Sequence, residues 1–212
     1  MSDAGLANGG PSPVSTAKVA LRVDLPAASV AENAGLVEHL TTFINYAFTT
    51  SEQGIWDLDK PKFERLTADK TRDLLRSREL AFVWRGDAPD IASALDKLGP
   101  PCVVGSVRLH WAEPQIGDVS LVACTNSVRG QGVGRAIMRF AEEHFKREGG
   151  KAVQIELLVP QAAPHPEKVK LDAWYQRLGF VPIRMEEFHL RYPHLAPLLA
   201  GECLLKVYEK PL

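Results

Sequence analysis

The segment from Cys124 to Ala136 reads Cys-Thr-Asn-Ser-Val-Arg-Gly-Gln-Gly-Val-Gly-Arg-Ala. Gly130, Gly132 and Gly134 alternate with other residues, and Arg129 and Arg135 bracket them. Glycine takes backbone conformations closed to other residues and lets the chain approach a ligand closely. Behind the glycines, Val133, Ile137, Phe140, Ala141 and His144 or Phe145 recur at helical spacing, with Arg135, Arg139, Glu142 and Lys146 opposite, so the turn opens an amphipathic helix. The first turn of a helix has unsatisfied N–H groups and the positive end of the dipole, which makes it an anion site. With two arginines beside it, a diphosphate is the natural guest. A P-loop requires Lys and then Ser or Thr after its last glycine, and Arg135 and Ala136 stand there. A dinucleotide fingerprint requires Gly-x-Gly-x-x-Gly or Ala; counted from Gly130 the sixth residue is Arg135, and from Gly132 it is Ile137. The plain alternative is a glycine-rich strand–helix turn without a ligand.

The elements that position this turn follow from pattern. Residues 20–25 read as a strand and 30–48 as a helix, with a polar loop or helix–helix connection from Thr49 to Lys60 and a charged helix over 68–78. Strands are expected at Leu80–Trp84, Cys102–Trp111 and Val119–Cys124, with a loop insertion carrying a short helix at 87–101. The helix over 131–148 ends at Gly149-Gly150. A buried strand (152–159), a proline-rich loop (160–166), a helix (167–178) and strands at 180–188 and 203–208 complete an α/β chain with a mixed sheet. Residues 1–17 read as a flexible tail before one domain over 18–212.

With 45% hydrophobic and 24% charged residues in 212, the chain has the composition of a folded globular protein. Lysine and arginine number 25 against 26 acidic residues, which argues against a nucleic-acid binder held by bulk charge. No apolar run is long enough to span a membrane, and no basic-then-apolar leader opens the sequence. Cys102, Cys124 and Cys203 read as buried thiols in a reducing, cytoplasmic setting, without a metal framework.

Two motifs carry a resemblance. Arg129-Gly130-Gln131-Gly132-Val133-Gly134 is similar to the Arg/Gln-x-x-Gly-x-Gly/Ala signature of the GCN5-related N-acetyltransferases, the GNAT superfamily. About forty residues on, Tyr175-Gln176-Arg177-Leu178-Gly179-Phe180 resembles that family's Tyr-x-x-Leu-Gly-Phe ending. The resemblance is specific over 119–181. It implies that acetyl-CoA is the co-substrate, its pyrophosphate held by Arg129 to Arg135 through backbone N–H groups. It further implies that Val122, Ala123 and Cys124 pair with the pantetheine arm, and that this strand splays from 152–159 to leave a gap for the thioester. Tyr175 matches the tyrosine that often protonates the departing thiolate; a phenol with a pKa of about 10 is protonated at neutral pH and can do so. Trp174 reads as core.

An attacking amine must lose a proton. In the histone-acetylating branch a glutamate six residues before the end of the equivalent strand takes it, and counting back from Cys124 gives Asp118; the alternative reading of Gly117-Asp118 is a turn. Glu156 and Glu113 are rivals, and His110 is a further candidate. Where many relatives carry asparagine, seven residues before the tyrosine, this chain has Lys168. His165 reads as a solvated loop residue. Acceptor contacts are expected from Trp56, Asp57 and Asp59 and from the segment 186–195. The resemblance implies an N-acetyltransferase acting on a small-molecule or peptide amine, as monomer or homodimer, without nucleic acid or membrane. The alternatives are a non-catalytic acyl-CoA-binding module of the same fold and a protein N-terminal or lysine acetyltransferase.

Overall fold

The computed structural model describes residues 21–57, 59 and 64–212; the expected tail at 1–17 lies outside them. The first strand, β1 (Leu21–Asp24), leads through a 3-10 turn (Ala28–Glu32) into α1 (Ala34–Ser51). The α1 helix begins later and ends later than the apolar spacing suggests. Asn33 caps it by accepting from the Leu36 N–H at 2.9 Å, which fixes the start in the way short polar side chains do. The expected loop from Thr49 is therefore helical through Ser51. Helix α2 (Ala68–Arg76) starts at Thr67, whose hydroxyl accepts from Lys70 N–H. Strand β2 (Leu80–Arg85) is followed by the expected short insertion helix, α3 (Ile91–Leu98), capped by Asp90.

Strands β3 (Val103–Glu113) and β4 (Ile116–Cys124) form a hairpin. Its turn is at Pro114-Gln115, with Gln115 in a left-handed conformation (φ 69°). Gly117-Asp118, weighed as a turn, lies inside β4. Helix α4 (Val133–Arg147), β5 (Ala152–Pro160), α5 (Pro166–Arg177), β6 (Val181–Glu187), the short α6 (Phe188–Arg191) and β7 (Cys203–Pro211) follow.

The seven strands are ordered β1-β2-β3-β4-β5-β7-β6, antiparallel except for the parallel pair β4/β5. Side chains of β2 alternate between two cores. Leu80, Phe82 and Trp84 pack with α1, α2 and α3; Ala81 and Val83 pack on the other face with α4 and α5. Met138, missed by the helical reading, is buried on α4 with Val133, Ile137, Ala141 and Phe145. None of the helices among the described residues is long and apolar enough to cross a membrane.

Two irregularities open the sheet at its centre. The β4/β5 ladder covers only Ile116↔Ala152, Gly117↔Val153 and Asp118↔Gln154. Beyond it β5 stays paired with β7 as far as Pro160↔Cys203, while β4 stays paired with β3. In β4 a bulge places Leu121 and Val122 opposite Val107, between the pairs Arg108↔Ser120 and Ser106↔Ala123. Leu121 takes a left-handed φ of 50°, and the Ser106 hydroxyl donates to its carbonyl at 3.0 Å. Such bulges bend a strand out of register. Here the bend turns β4 away from β5 and leaves a V-shaped gap.

Candidate active site

The gap is the floor of a cavity of about 790 Å³. A second cavity of about 530 Å³ lies over the glycine turn and is lined by every residue from Arg129 to Arg135, with Cys124, Val128 and Trp174. The two are neighbours along the same elements. On β4, Cys124 lines the turn cavity and Val122 the gap; on α5, Trp174 lines the first and Tyr175 the second.

The turn is built to leave donors open. Helix α4 has no side-chain cap, unlike α1, α2 and α3, so the N–H groups of its first turn are unclaimed by any cap. Its N-cap, Gly132, has φ +89° with nothing within 4 Å of where a Cβ would stand. The left-handed backbone, and not crowding, selects glycine there. Gly134 is different: a Cβ would stand 3.0 Å from the Trp174 ring. Trp174 is thus not the core residue expected but a half-buried wall that covers the helix start. Arg129 and Arg135 are exposed beside it. An open helix N-terminus, a bare backbone and two arginines suit a diphosphate, so the residues present fit the coenzyme group the sequence suggests. Ala123 is buried and pairs with Ser106, leaving Val122 and Cys124 to border the cavities. Burial pushes the Cys124 thiol up, against the pull of Arg129, which suits a channel wall and not a nucleophile.

Helix α5 buries only Lys168 and Tyr175, seven residues apart and so on one face. Tyr175 packs against Trp174, Phe180 and Tyr208. Burial, with the Glu52 charge adding, holds its hydroxyl pKa above the usual value, so the phenol stays protonated. Lys168 donates to Glu52 Oε1 at 2.7 Å; Arg65 and Trp56 donate to Glu52 Oε2 at 2.6 and 2.7 Å. Burial raises Glu52, but Arg65 and Lys168 outweigh it and hold the carboxyl below its ordinary range.

At the apex of the gap lie Asp118 and Glu156. Asp118 is buried, and its Oδ1 is 3.3 Å from His110 Nδ1. That contact is not aligned as a hydrogen bond, since His110 Nδ1 is a buried atom without a hydrogen-bond partner. Burial and the Glu156 charge push Asp118 up to about 7, while burial pulls His110 down. A carboxyl with a pKa near neutrality is suited to accept a proton at pH 7. Glu156 accepts from Tyr192 Oη at 2.7 Å and lies 3.5 Å from Arg191 Nε.

The structure therefore brings Asp118, Glu156, Tyr175 and His110 to one cavity. Glu113 is exposed at the end of β3 and does not line it. Of the expected acceptor contacts, Trp56 lines the cavity, as do Phe188, Arg191, Tyr192, His194 and Leu195 from the insertion between β6 and β7. Asp57 and Asp59 do not: the Asp57 carboxylate accepts from the Asp59 N–H at 2.9 Å. His165 is half-buried and bonds to the Gln53 carbonyl at 3.0 Å, tying the start of α5 to the end of α1. The Glu52–Arg65–Lys168 network escaped the sequence reading. The only available signal was the seven-residue spacing of Lys168 and Tyr175. Among the described residues no cluster of three or more His, Cys, Asp or Glu could hold a metal.

Comparison with known proteins agrees with this architecture. No curated protein matches the sequence. A family model, the acetyltransferase (GNAT) domain, matches residues 99–182. A GCN5-related N-acetyltransferase from Kribbella flavida shares the fold at 21% identity and TM-score 0.53, covering 91% of this chain and 98% of that one. The ribosomal-protein-alanine N-acetyltransferase of Brucella melitensis aligns at 13% identity and TM-score 0.56, covering 90% and 99%. The yncA protein of Salmonella typhimurium, solved with acetyl-CoA, aligns at 11% and 0.57, covering 91% and 94%. The matched stretch spans the bulged strand, the glycine turn and the Tyr175 helix, and the fold is shared along nine-tenths of the chain, so residues 99–182 are similar to a GNAT acetyltransferase domain.

Proposed function

We propose that the chain transfers the acetyl group of acetyl-CoA directly to an amine of a small-molecule acceptor. The observation that carries this is the adjacency of the two cavities along β4 and α5. The glycine turn offers a diphosphate site, and one step along the same strand and helix, at Val122 and Tyr175, begins the gap that has Asp118 and Glu156 at its apex. Asp118 takes a proton from the incoming ammonium. The amine nitrogen forms its bond to the thioester carbon, the carbon–sulfur bond breaks, and Tyr175 donates its proton to the departing thiolate. The products are the N-acetyl amide and free CoA: the nitrogen sheds its second proton to solvent as it becomes an amide, Tyr175 takes one proton back from solvent, and Asp118 releases the first, so each turnover yields one proton from the ammonium. The bulged strand keeps the backbone of Leu121 and Val122 out of the β4/β5 ladder and available to the coenzyme arm.

A panel of amines, including a peptide with a free N-terminus, assayed with acetyl-CoA for thiol release tests the reading. Acetyl-CoA-dependent thiol release that requires an amine is expected. Failure to bind acetyl-CoA overturns the proposal, and tight binding without turnover across the panel favours a non-catalytic module. Replacing Tyr175 with Phe should lower kcat by about 10²-fold or more and leave coenzyme affinity, read by calorimetry, nearly unchanged. An unaltered kcat removes the acid role.

A further inference from the structure

The charges around the apex are uneven in a way that bears on the acceptor. Two carboxylates, Asp118 and Glu156, face the cavity there. Two of the cavity's three arginines, Arg108 and Arg191, act on Asp118 there, but they are held differently. Arg108 is committed to Glu79, with Nε and Nη2 each 2.8 Å from the same Oε2. Arg191 approaches Glu156 through its Nε at 3.5 Å and also interacts with Tyr192 and Glu186, yet its side chain is 53% exposed. Its neighbour Tyr192 donates to the same Glu156 at 2.7 Å, which anchors this stretch of backbone at the apex. The Arg191 charge acts on Asp118 and His110 as well as on Glu156, so one guanidinium reaches the whole apex.

A second ammonium would find little to receive it. Towards the far end of α1, Glu52 is already shared by Arg65 and Lys168. The remaining carboxylate along the cavity, Glu64, is exposed, where water and salt screen it. The buried His110 Nδ1 at the apex has no aligned hydrogen-bond partner among the described residues, and buried polar atoms favour ligands that satisfy them.

We infer that the acceptor is a monoamine carrying an anionic group a few bonds from its nitrogen, as an amino acid does, with Arg191 binding the anion while Asp118 and Glu156 receive the ammonium. This rests on the N-acetyltransferase reading and narrows it: polyamines and other polycations are excluded. Arginine presents paired donors that match a carboxylate, which makes Arg191 the specificity residue.

The test uses matched pairs, each an amino acid and the amine left by removing its carboxylate, together with spermidine. Thiol release from acetyl-CoA is measured for the wild type, for Arg191→Gln, which keeps polarity without charge, and for Arg191→Lys, which restores the charge. The acid member of each pair should be favoured by about tenfold or more in kcat/KM. That ratio should fall towards one in Arg191→Gln, mainly through KM, and recover in part in Arg191→Lys. Equal or better use of the decarboxylated amines, a preference for spermidine, or a ratio that Arg191→Gln leaves unchanged overturns the inference. Calorimetric binding of the same pairs to the CoA-loaded protein separates the two claims. Acid-over-amine binding without turnover upholds the acceptor class and removes the transfer reaction; binding without that preference removes the acceptor class whatever the turnover.

Discussion

Glu52→Ala is expected to destabilise the fold by about 3–5 kcal/mol, the cost of stranding buried charge. The Glu52 side chain is 3% exposed and that of Lys168 is 9% exposed. Removing the carboxylate leaves the Lys168 ammonium in the cavity wall without the anion it binds. It also breaks the Trp56 hydrogen bond. At roughly 2–4 °C for each kcal/mol in a chain of this size, the melting temperature should fall by about 6–20 °C. Lys168→Met should cost less, because Arg65 and Trp56 continue to satisfy Glu52 and a thioether fills the space of the lysine stem. The double variant, Glu52→Ala with Lys168→Met, should be more stable than Glu52→Ala alone, since it removes a stranded cation. Denaturant unfolding of the three variants decides the matter. A loss below about 1 kcal/mol for Glu52→Ala, the range of exposed pairs, would mean that water reaches the pair and that it does not organise the wall.

That network shows where a sequence stops being informative. The glycine turn was legible because its physics is local: alternating glycines before an amphipathic helix give an open N-terminus whatever surrounds them. The Tyr175 helix was legible for the same reason, as was the run of strands. Helix α1 ended later than its periodicity suggested, since its last turn is held by contacts from 116 residues away, through Lys168 to Glu52. Nothing near Glu52 in the chain announces that partner. The splay of β4 from β5 came into the reading only through a family resemblance, and its cause, a bulge at Leu121 and Val122 pinned by Ser106, has no signal in local composition. Asp118 was a matter of counting along a strand. The environment that fits it to a proton transfer is tertiary: Glu156 comes from β5, Arg191 from the β6–β7 insertion and His110 from β3. Trp174 was misplaced for a related reason, since an aromatic at that point is core by pattern and a cover for Gly134 by packing.

Asp118→Asn should reduce kcat/KM by about 10²–10⁴-fold while raising stability above neutral pH. The two effects have one origin. In the folded chain Asp118 holds its proton up to about 7, because burial and the Glu156 charge disfavour the carboxylate; the ordinary value is 3.8. Between those pH values the folded state binds more protons than the unfolded state. The stability this group contributes is therefore complete below about pH 4 and is lost as pH rises through about 7. Wild-type stability should thus decline across that window, at up to about 1.4 kcal/mol for each pH unit, and asparagine, which does not titrate, should remove the decline. The activity of the wild type should run the other way, rising through about pH 7 as Asp118 becomes able to accept a proton, with His110, Ser120, Arg108 and Arg191 as the other groups that face or bias it. The inflection should vanish in Asp118→Asn. A stabilised variant that keeps both its rate and its inflection would exclude Asp118 as the base, and loss of the inflection in Glu156→Gln instead would assign the proton to the carboxylate across the gap. A gain in stability together with a loss of turnover is the signature to look for, because a residue kept only for packing moves both in the same direction.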